Sequence, residues 1–392
     1  MRVGVLGVAT SKFGELWDIS PRRLVREVVS EVLASSNLKP TDIDALYVGN
    51  MLSGILSGQE NLGALFASEL GLNCPAFKIE GACASGGLAF YNAALSVRSG
   101  VFKKVLAVGV EKMTDHKPEI VAYGLMGAGS DEERQAGTTF PGLYALLARV
   151  HMQTYKTTQE QMAAVAVKNH FHASLNGKAH FSNIVTIEQV LQSPLVADPL
   201  KLLDCSPISD GAAAVLIADE DTVKKKTNKP VWLAGAGVAS DSLGLSGRDN
   251  FTSLKAVRLA AKTAYQAAGM APQDIDVAEV HDCFTIAEII ALEDLGFYKP
   301  GKAAAGIAKG ETTLGKGNPL GRTQGKLTVN TSGGLKASGH PVGATGIKQV
   351  VEVVQQLKGQ AGKKQVETAR IGLTHNVGGS GAVAVVHIFK KD

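Results

Sequence analysis

The sequence predicts an α/β fold built twice over, with two halves that each carry a sheet with helices on its faces and a helical insertion in the first half. Three observations predict it. A helix–turn–strand unit recurs at one constant offset, the two halves open alike, and they close alike.

The recurring unit runs from Ser20 to Asn50 and again from Thr252 to Asp282. Pro40, Asp42, Ile43 and Asp44 return as Pro272, Asp274, Ile275 and Asp276 without a gap. In the first copy Leu24, Val25, Val28, Val29, Val32 and Leu33 form one apolar stripe at helical spacing; the second copy carries Ala256, Val257, Ala260, Ala261, Ala264 and Tyr265 at the same places. Ser20 before Pro21 has the pattern of an N-cap followed by a first-turn proline. A turn and a short buried strand follow each helix, Ala45–Val48 and Val277–Val280. VGVLGVA opens the first half and VWLAGAGVA, from Val231, opens the second. ISDGAAAVLIADE from Ile208 and GGSGAVAVVHIFK from Gly378 close them, each a glycine turn feeding a buried strand. The halves are therefore placed at 1–228 and 229–392. The first is longer, and its excess at about 115–197 reads as an inserted loop domain.

Composition excludes several function classes. The chain has 392 residues, 45% of them hydrophobic and 19% charged, which is enough to bury sizeable cores and too apolar to be disordered. A net charge of +4, with no basic run longer than Lys224–Lys226, argues against nucleic acid as a partner; that run is read as a solvated loop. The four cysteines, Cys74, Cys83, Cys205 and Cys283, show no CxxC spacing. Neither a zinc site nor a disulfide framework is expected, and no metal is assigned. The opening MRVGVLGVATSKFGELW lacks a signal-peptide pattern, no apolar run approaches membrane-spanning length, and the closing Lys390-Lys391-Asp392 is no peroxisomal signal. The expectation is a cytoplasmic protein with no membrane partner.

Four short motifs carry chemistry. GACASGG places Cys83 at the start of a helix beginning near Ala84, where unpaired N–H groups and the helix dipole favour a thiolate. That motif alone is equally consistent with a buried structural cysteine. SGHPVGATG places His340 at a helix start in the second half. If a pseudo-twofold axis relates the halves, the two helix starts bring a thiol and an imidazole together. HDCF, with His281, Cys283 and Phe284, follows the strand Val277–Val280, and strand ends are where α/β sheets present functional groups. HNVGGSG, with His375 and Gly378, reads as a turn after the strand Ile371–Thr374, whose N–H groups could hold an oxyanion. His116, His151, His170, His172, His180 and His387 read as solvated or structural.

Taken together, GACASGG, HDCF, SGHPVGATG and HNVGGSG resemble the thiolase superfamily, most closely its archaeal and sterol-carrier-protein type, over essentially the whole chain. The resemblance implies the thiolase fold, two α/β halves stacked as an α-β-α-β-α core with a loop domain. It implies that Cys83 is acylated, that His340 activates it and polarises a thioester carbonyl, and that His281 holds an oxyanion-site water where many thiolases have asparagine. Ser206, in CSPISDGAA, would line the pantetheine channel, and Phe284 would lie beside the acyl group. The chain departs from the common pattern at HNVGGSG, where most thiolases carry a second cysteine. The sterol-carrier-protein type keeps it in HDCF, so Cys283 is the expected base at the substrate α-carbon, with a mere wall of the site as the alternative and His375 as the next place to look.

The implied reaction is acetyl-CoA C-acetyltransferase chemistry. Two acetyl-CoA molecules would give acetoacetyl-CoA through a Cys83 acyl-enzyme, with coenzyme A as substrate and product and no other cofactor. One oxyanion site would use His340 and the His281 water, the other the Cys83 N–H and an N–H near Gly378. The resemblance also implies a homodimer or homotetramer, and association with 3-hydroxy-3-methylglutaryl-CoA synthase through a zinc-ribbon/OB-fold protein, feeding mevalonate synthesis. A degradative 3-oxoacyl-CoA thiolase of broader chain length and a non-catalytic acyl-CoA-binding scaffold are the alternatives.

Overall fold

The computed structural model describes residues 1–315, 317, 319–320 and 327–392. Its strands are β1 (Val3–Thr10), β2 (Ala45–Gly49), β3 (Ala76–Ile79), β4 (Lys104–Glu111), β5 (Leu195–Ala197), β6 (Leu200–Lys201), β7 (Gly211–Asp219), β8 (Val231–Ser240), β9 (Val277–Glu279), β10 (Thr328–Val329), β11 (Ile371–Gly378) and β12 (Val383–Lys391). Ten of them form one sheet in the order β10-β9-β11-β12-β8-β1-β7-β4-β2-β3.

That order reads the same outward from its centre in both directions. From the junction the first half runs β1, β7, β4, β2, β3 and the second runs β8, β12, β11, β9, β10. Pairing direction matches at each step: the two inner contacts of each half are antiparallel and the two outer ones parallel. Among the described residues the half-sheets pair through Gly4 with Trp232 and Val5 with Val231. The sequence pointed to a sheet in each half; the structure fuses them into one across this short seam.

Side-chain alternation along the strands builds the layers. In the first half Leu46, Val48, Leu106, Val108 and Leu216 face one way and bury the stripe Leu24–Leu33 of the helix Pro21–Ser36. Val105, Ala107, Val215 and Ile217 face the other way, onto the helices Ser85–Arg98 and Val342–Lys358. Those two helices lie between the half-sheets, because Val277 of β9 and Phe389 of β12 join the same cluster. The far face of the second half-sheet, with Ala278, Ala384, Val386 and Ile388, packs on the helices Lys255–Ala268 and Thr285–Asp294. The layering is thus helix, sheet, helix, sheet, helix.

All twelve stripe residues of the repeated helix are buried. Burial of each large aliphatic is worth about 1.5–3 kcal/mol. The second stripe is mostly alanine because its helix sits unusually close to β8. A Cβ on Gly235 would lie 2.2 Å from Ala264 O, and one on Gly237 would lie 2.1 Å from Ala260 O. Ser20 caps the first helix through the Arg23 N–H, with Pro21 in the first turn. Asn37, in the left-handed region at φ 50°, ends it.

Two local expectations are corrected. Lys224–Lys226 form the last turn of the helix Glu220–Lys226 and are not a loop; their charge suits a helix C-terminus. The Cys83 helix begins at Ser85, as its sequence predicts to within a residue, after a tight 3-10 turn over Ala82–Ala84. His375 and Asn376 lie within β11, opposite Val386 and Val385 of β12, and not on the turn beyond it.

Between β4 and β7 the chain forms the helices Pro118–Leu125, Asp131–Gln135, Phe140–Tyr155, Gln159–Ser174 and Ile187–Gln192, then the β5–β6 ribbon. Leu143, Tyr144 and Leu147 from this segment join the core of the second half. Among the described residues no helix is long and apolar enough to cross a membrane.

Candidate active site

The two central helices start face to face, and glycine makes this possible. A Cβ on Gly86 would lie 2.6 Å from Gly343 O, and one on Gly346 would lie 2.1 Å from Gly87 N. Only hydrogen fits at these points. The contact brings the turns before the two helices, one carrying Cys83 and the other His340, to the same place. Ala82 immediately before Cys83 takes φ +53°, an uncommon left-handed position for a residue with a side chain. This sharp turn sets Cys83 at the mouth of the helix.

A cavity of about 190 Å³ opens there, lined by Cys83, His281, Cys283, His340, Tyr144 and Gly379 among others. Ser206 and Phe284 also line it, as do Met113, Leu125, Phe140 and Val342, so its walls are mainly apolar. Cys83, His281, Cys283, His340, Ser206 and Phe284, which the sequence singled out separately, are therefore brought together. Gly378 is not on the lining. A Cβ there would lie 2.3 Å from Gly81 O, so its role is to let β11 run tight against the Cys83 turn, and the N–H that faces the Cys83 sulfur is that of Gly379.

Hydrogen bonds fix which ring nitrogens carry protons. His340 Nδ1 lies 2.7 Å from Thr345 Oγ1, whose own hydroxyl donates to Pro341 O at 3.1 Å. The Thr345 oxygen therefore accepts, His340 carries its proton on Nδ1, and its buried Nε2 keeps a free lone pair with no partner. At His281 the ring is reversed. Its Nδ1 faces two donors, Asn376 Nδ2 at 3.1 Å and the Val377 N–H at 3.4 Å, so it accepts, and the proton sits on Nε2. The cavity thus receives a basic nitrogen from one imidazole and an N–H donor from the other. The sequence pointed to a water that His281 would hold, and this Nε2–H is the group that would donate to it.

Asn376 ties these parts together. Its Nδ2 also donates to Cys83 O at 3.0 Å, and its Oδ1 accepts from the Gly87 N–H at 3.2 Å. His375 stands behind the site. Its Nδ1 accepts from the His281 N–H at 3.3 Å, and it does not line the cavity. The HDCF loop is held from below by Asp282, whose carboxylate accepts from the Leu335 and Lys336 N–H groups at 2.6 and 3.2 Å and from Asn169 Nδ2 at 2.6 Å. The Ser206 N–H donates to Cys283 O at 2.9 Å, joining the two walls.

Burial governs the electrostatics. It pushes the Cys83 thiol up to about 12, helped by the carboxylates of Glu111 and Glu80 and opposed by the Gly379 N–H. The expected resting thiolate is therefore overturned: desolvation outweighs the helix terminus, and Cys83 needs a base. Burial also lifts the Cys283 thiol well above its usual range, and the neighbouring Cys83 adds to this. His340 is pushed down to about 3 by burial and then by Lys348, and His281 falls well below its usual value by burial and then by His340 and His375. Both imidazoles rest neutral, as the tautomers require.

Tyr144, Thr345, Asn376 and Gly379 belong to this site and were not singled out by sequence reasoning. Thr345, Asn376 and Gly379 stood inside quoted motifs without a role. Tyr144 comes from the helix Phe140–Tyr155 and had no motif to mark it. The other histidines lie apart from the cavity: His151, His170, His172 and His387 are buried, with His151 against Thr157, His172 against Asn330 O and His387 against Thr374. Among the described residues no group of three or more His, Cys, Asp or Glu side chains is arranged to hold a metal ion.

Comparison with known proteins agrees with this geometry. The thiolase N-terminal domain matches residues 3–221, and the thiolase C-terminal domain-like family matches residues 237–391. An acetyl-CoA acetyltransferase of Methanothermobacter thermautotrophicus is 48% identical over 99% of both chains. Human sterol carrier protein 2 is 32% identical over 98% of this chain and 71% of its own length. Among solved structures, an Ltp2–ChsH2(DUF35) aldolase superposes with a TM-score of 0.82 at 24% identity, covering 100% of this chain and 98% of that one, which speaks for the fold alone. With both family domains matched in order and a full-length relative at this identity, the chain belongs to the thiolase family and is an acyltransferase.

Proposed function

We propose that this thiolase is an acetyl-CoA C-acetyltransferase that condenses two acetyl-CoA molecules into acetoacetyl-CoA and free CoA, reversibly. The carrying observation is the pair of opposed imidazole tautomers around two buried thiols in one apolar cavity. The full-length likeness to archaeal acetyl-CoA acetyltransferases supports the choice of acyl group.

In the first step His340 Nε2 takes the Cys83 proton as the sulfur attacks the thioester carbon. The oxyanion is held by the Cys83 and Gly379 N–H groups. The C–S bond to CoA breaks, the departing CoA sulfur takes the proton from His340, and acetyl-Cys83 remains; His340 Nε2 then takes the Cys283 proton, which leaves a Cys283 thiolate beside a His340 imidazolium. The two charges offset one another inside the apolar cavity. In the second step the Cys283 thiolate removes an α-proton from a second acetyl-CoA, whose thioester oxygen is held by the His340 imidazolium and by a water on the His281 Nε2–H. The enolate carbon attacks acetyl-Cys83, acetoacetyl-CoA leaves, and the Cys83 thiolate recovers its proton from His340. Ser206 contributes to the pantetheine channel and Phe284 packs beside the acyl group. Coenzyme A carries the substrate, and no step calls for another cofactor.

The halves act as structural units meeting near residue 228, with the segment at about 115–197 forming one wall of the site. We place the enzyme in the cytoplasm as a homodimer or homotetramer, in mevalonate synthesis. A bridging zinc-ribbon/OB-fold protein would couple it to 3-hydroxy-3-methylglutaryl-CoA synthase and draw off the uphill product.

The test is a pair of substitutions. Cys83→Ala should form no acetyl-enzyme by intact mass, whereas Cys283→Ala should still acylate. Cys283→Ala should lose exchange of the acetyl-CoA α-protons with deuterated solvent, and its condensation should fall ~10²-fold or more. An acetylated Cys83→Ala protein, or wild-type exchange by Cys283→Ala, would overturn these assignments.

A further inference from the structure

One side chain in the cavity has no part in the steps above. Tyr144 is buried, and its ring packs on Phe284 with centroids 4.7 Å apart. Its hydroxyl donates to Gly379 O at 3.2 Å and also lies within hydrogen-bond reach of the Cys283 sulfur. A phenol has one proton to give, so it serves one of these acceptors at a time. While Cys283 is a neutral thiol, the backbone carbonyl is the better acceptor. Once Cys283 is a thiolate, a charge-assisted bond to sulfur is the stronger one, and rotation about the C–O bond is enough to make it.

A buried cation stands behind this pair. Arg248 is 8% exposed and donates to Ser380 O at 2.5 Å, to Ser380 Oγ at 3.2 Å and to Ser242 O at 3.0 Å. Among the described residues no carboxylate lies within ion-pair distance of it; Asp241 and Glu133 act on it from farther off, and its charge draws the Tyr144 phenol down. Of the other groups facing Cys283, the Phe284 N–H favours a thiolate, Cys83 and Asp282 disfavour it, and the His281 and His340 rings rest uncharged. Tyr144 is the side-chain donor that reaches the sulfur.

We propose that Tyr144 is a positioning residue for the second half-reaction, a hydroxyl that turns from Gly379 O to the Cys283 sulfur and, backed by Arg248, stabilises the thiolate that removes the α-proton. The proposal rests on the reading of Cys283 as that base. It also gives the helix Phe140–Tyr155 a function beyond shaping the cavity.

The experiment is Tyr144→Phe, which keeps the ring against Phe284 and removes only the hydroxyl. Acetyl-enzyme formation from acetyl-CoA is followed by rapid mixing and intact mass, and α-proton exchange in deuterated buffer is followed across pH. Acylation should stay within about threefold of wild type, which also reports a folded site. Exchange at neutral pH should fall roughly 10- to 100-fold, the scale of one hydrogen bond to a charged group. It should recover as pH rises, because a thiol without its donor ionises later. Wild-type exchange with an unmoved pH profile would overturn the proposal, as would a loss of acylation in step with exchange. Cys283→Ala run beside it separates the two ideas. If Tyr144→Phe alone exchanges like wild type, the base assignment stands and this proposal falls; if Cys283→Ala does so too, both fall.

Discussion

The imidazoles of His281 and His340 stand at 86° to one another with ring centres 5.1 Å apart, and they offer the cavity opposite groups, an N–H and a lone pair. Each tautomer is imposed from behind the ring, by Thr345 in one case and by Asn376 with the Val377 N–H in the other.

Thr345→Val should therefore slow acylation of Cys83 while the fold persists. Without the hydroxyl oxygen, His340 can place its proton on Nε2 and lose the lone pair that receives the Cys83 proton. The single-turnover rate of acetyl-enzyme formation should drop ~10-fold or more, and Thr345→Ser should restore most of it. Equal rates in the valine and serine variants would show that the hydroxyl does not set the tautomer.

Asn376→Leu should lower both stability and activity. It strands the Gly87 N–H and Cys83 O and frees His281 to reverse its ring. Each buried group left unpaired costs about 1–3 kcal/mol, so the urea midpoint should fall clearly. A midpoint within error of wild type would mean that solvent or neighbouring groups replace all three contacts.

Gly346→Ala should destabilise the junction of the two central helices without touching a reactive group. Its methyl would meet Gly87 N and Asn376 Oδ1, so the expected loss is about 1–3 kcal/mol by urea unfolding. Gly177→Ala is the control. Nothing lies within 4 Å of its added methyl, and its effect should stay within about 0.5 kcal/mol. Comparable losses in the two would remove close helix contact as the cause.

Stability should fall as pH drops from 7 to 5. Burial holds His170 at about 4 and His172, His340, His375 and His387 at about 3, against a usual 6.5. Their contribution is present above 6.5 and is lost as pH falls through the folded values, because the unfolded chain takes up protons first. Glu111 and Asp282 at about 7 and Asp294 at about 6 act the other way, since the folded chain binds their protons earlier. The histidines outnumber them, so the urea midpoint should be lower at pH 5 than at pH 7. A higher midpoint at pH 5 would show that the carboxyls dominate.

The folded structure bears out most of the sequence reading where periodicity carried it. The repeated helix, its Ser20 cap and the strands Ala45–Gly49 and Val277–Glu279 follow from local spacing and capping chemistry, which act within a few residues. Cys83, His281, Cys283 and His340 were visible because each sits beside glycines or at a strand end. His375 was misplaced because HNVGGSG reads as a glycine turn, whereas β12 pairs with its first residues and extends β11 through them. Tyr144 was invisible because its place in the cavity depends on how one helix packs across the second half, which no local pattern records.

By itself, then, the sequence determined the duplicated α/β plan, the family and four side chains that line the cavity, because those depend on residue type and short-range spacing. Tertiary structure alone decided that the half-sheets join at Gly4 and Val5, that the glycine contact of Gly86 and Gly346 brings Cys83 and His340 to one cavity, and which nitrogen of each histidine carries its proton. The physical reason is range. A hydrogen bond between Asn376 and Cys83, or a desolvation that holds Cys83 as a thiol, is made by residues hundreds of positions apart or by the whole surrounding core, and exists only once the chain has closed on itself.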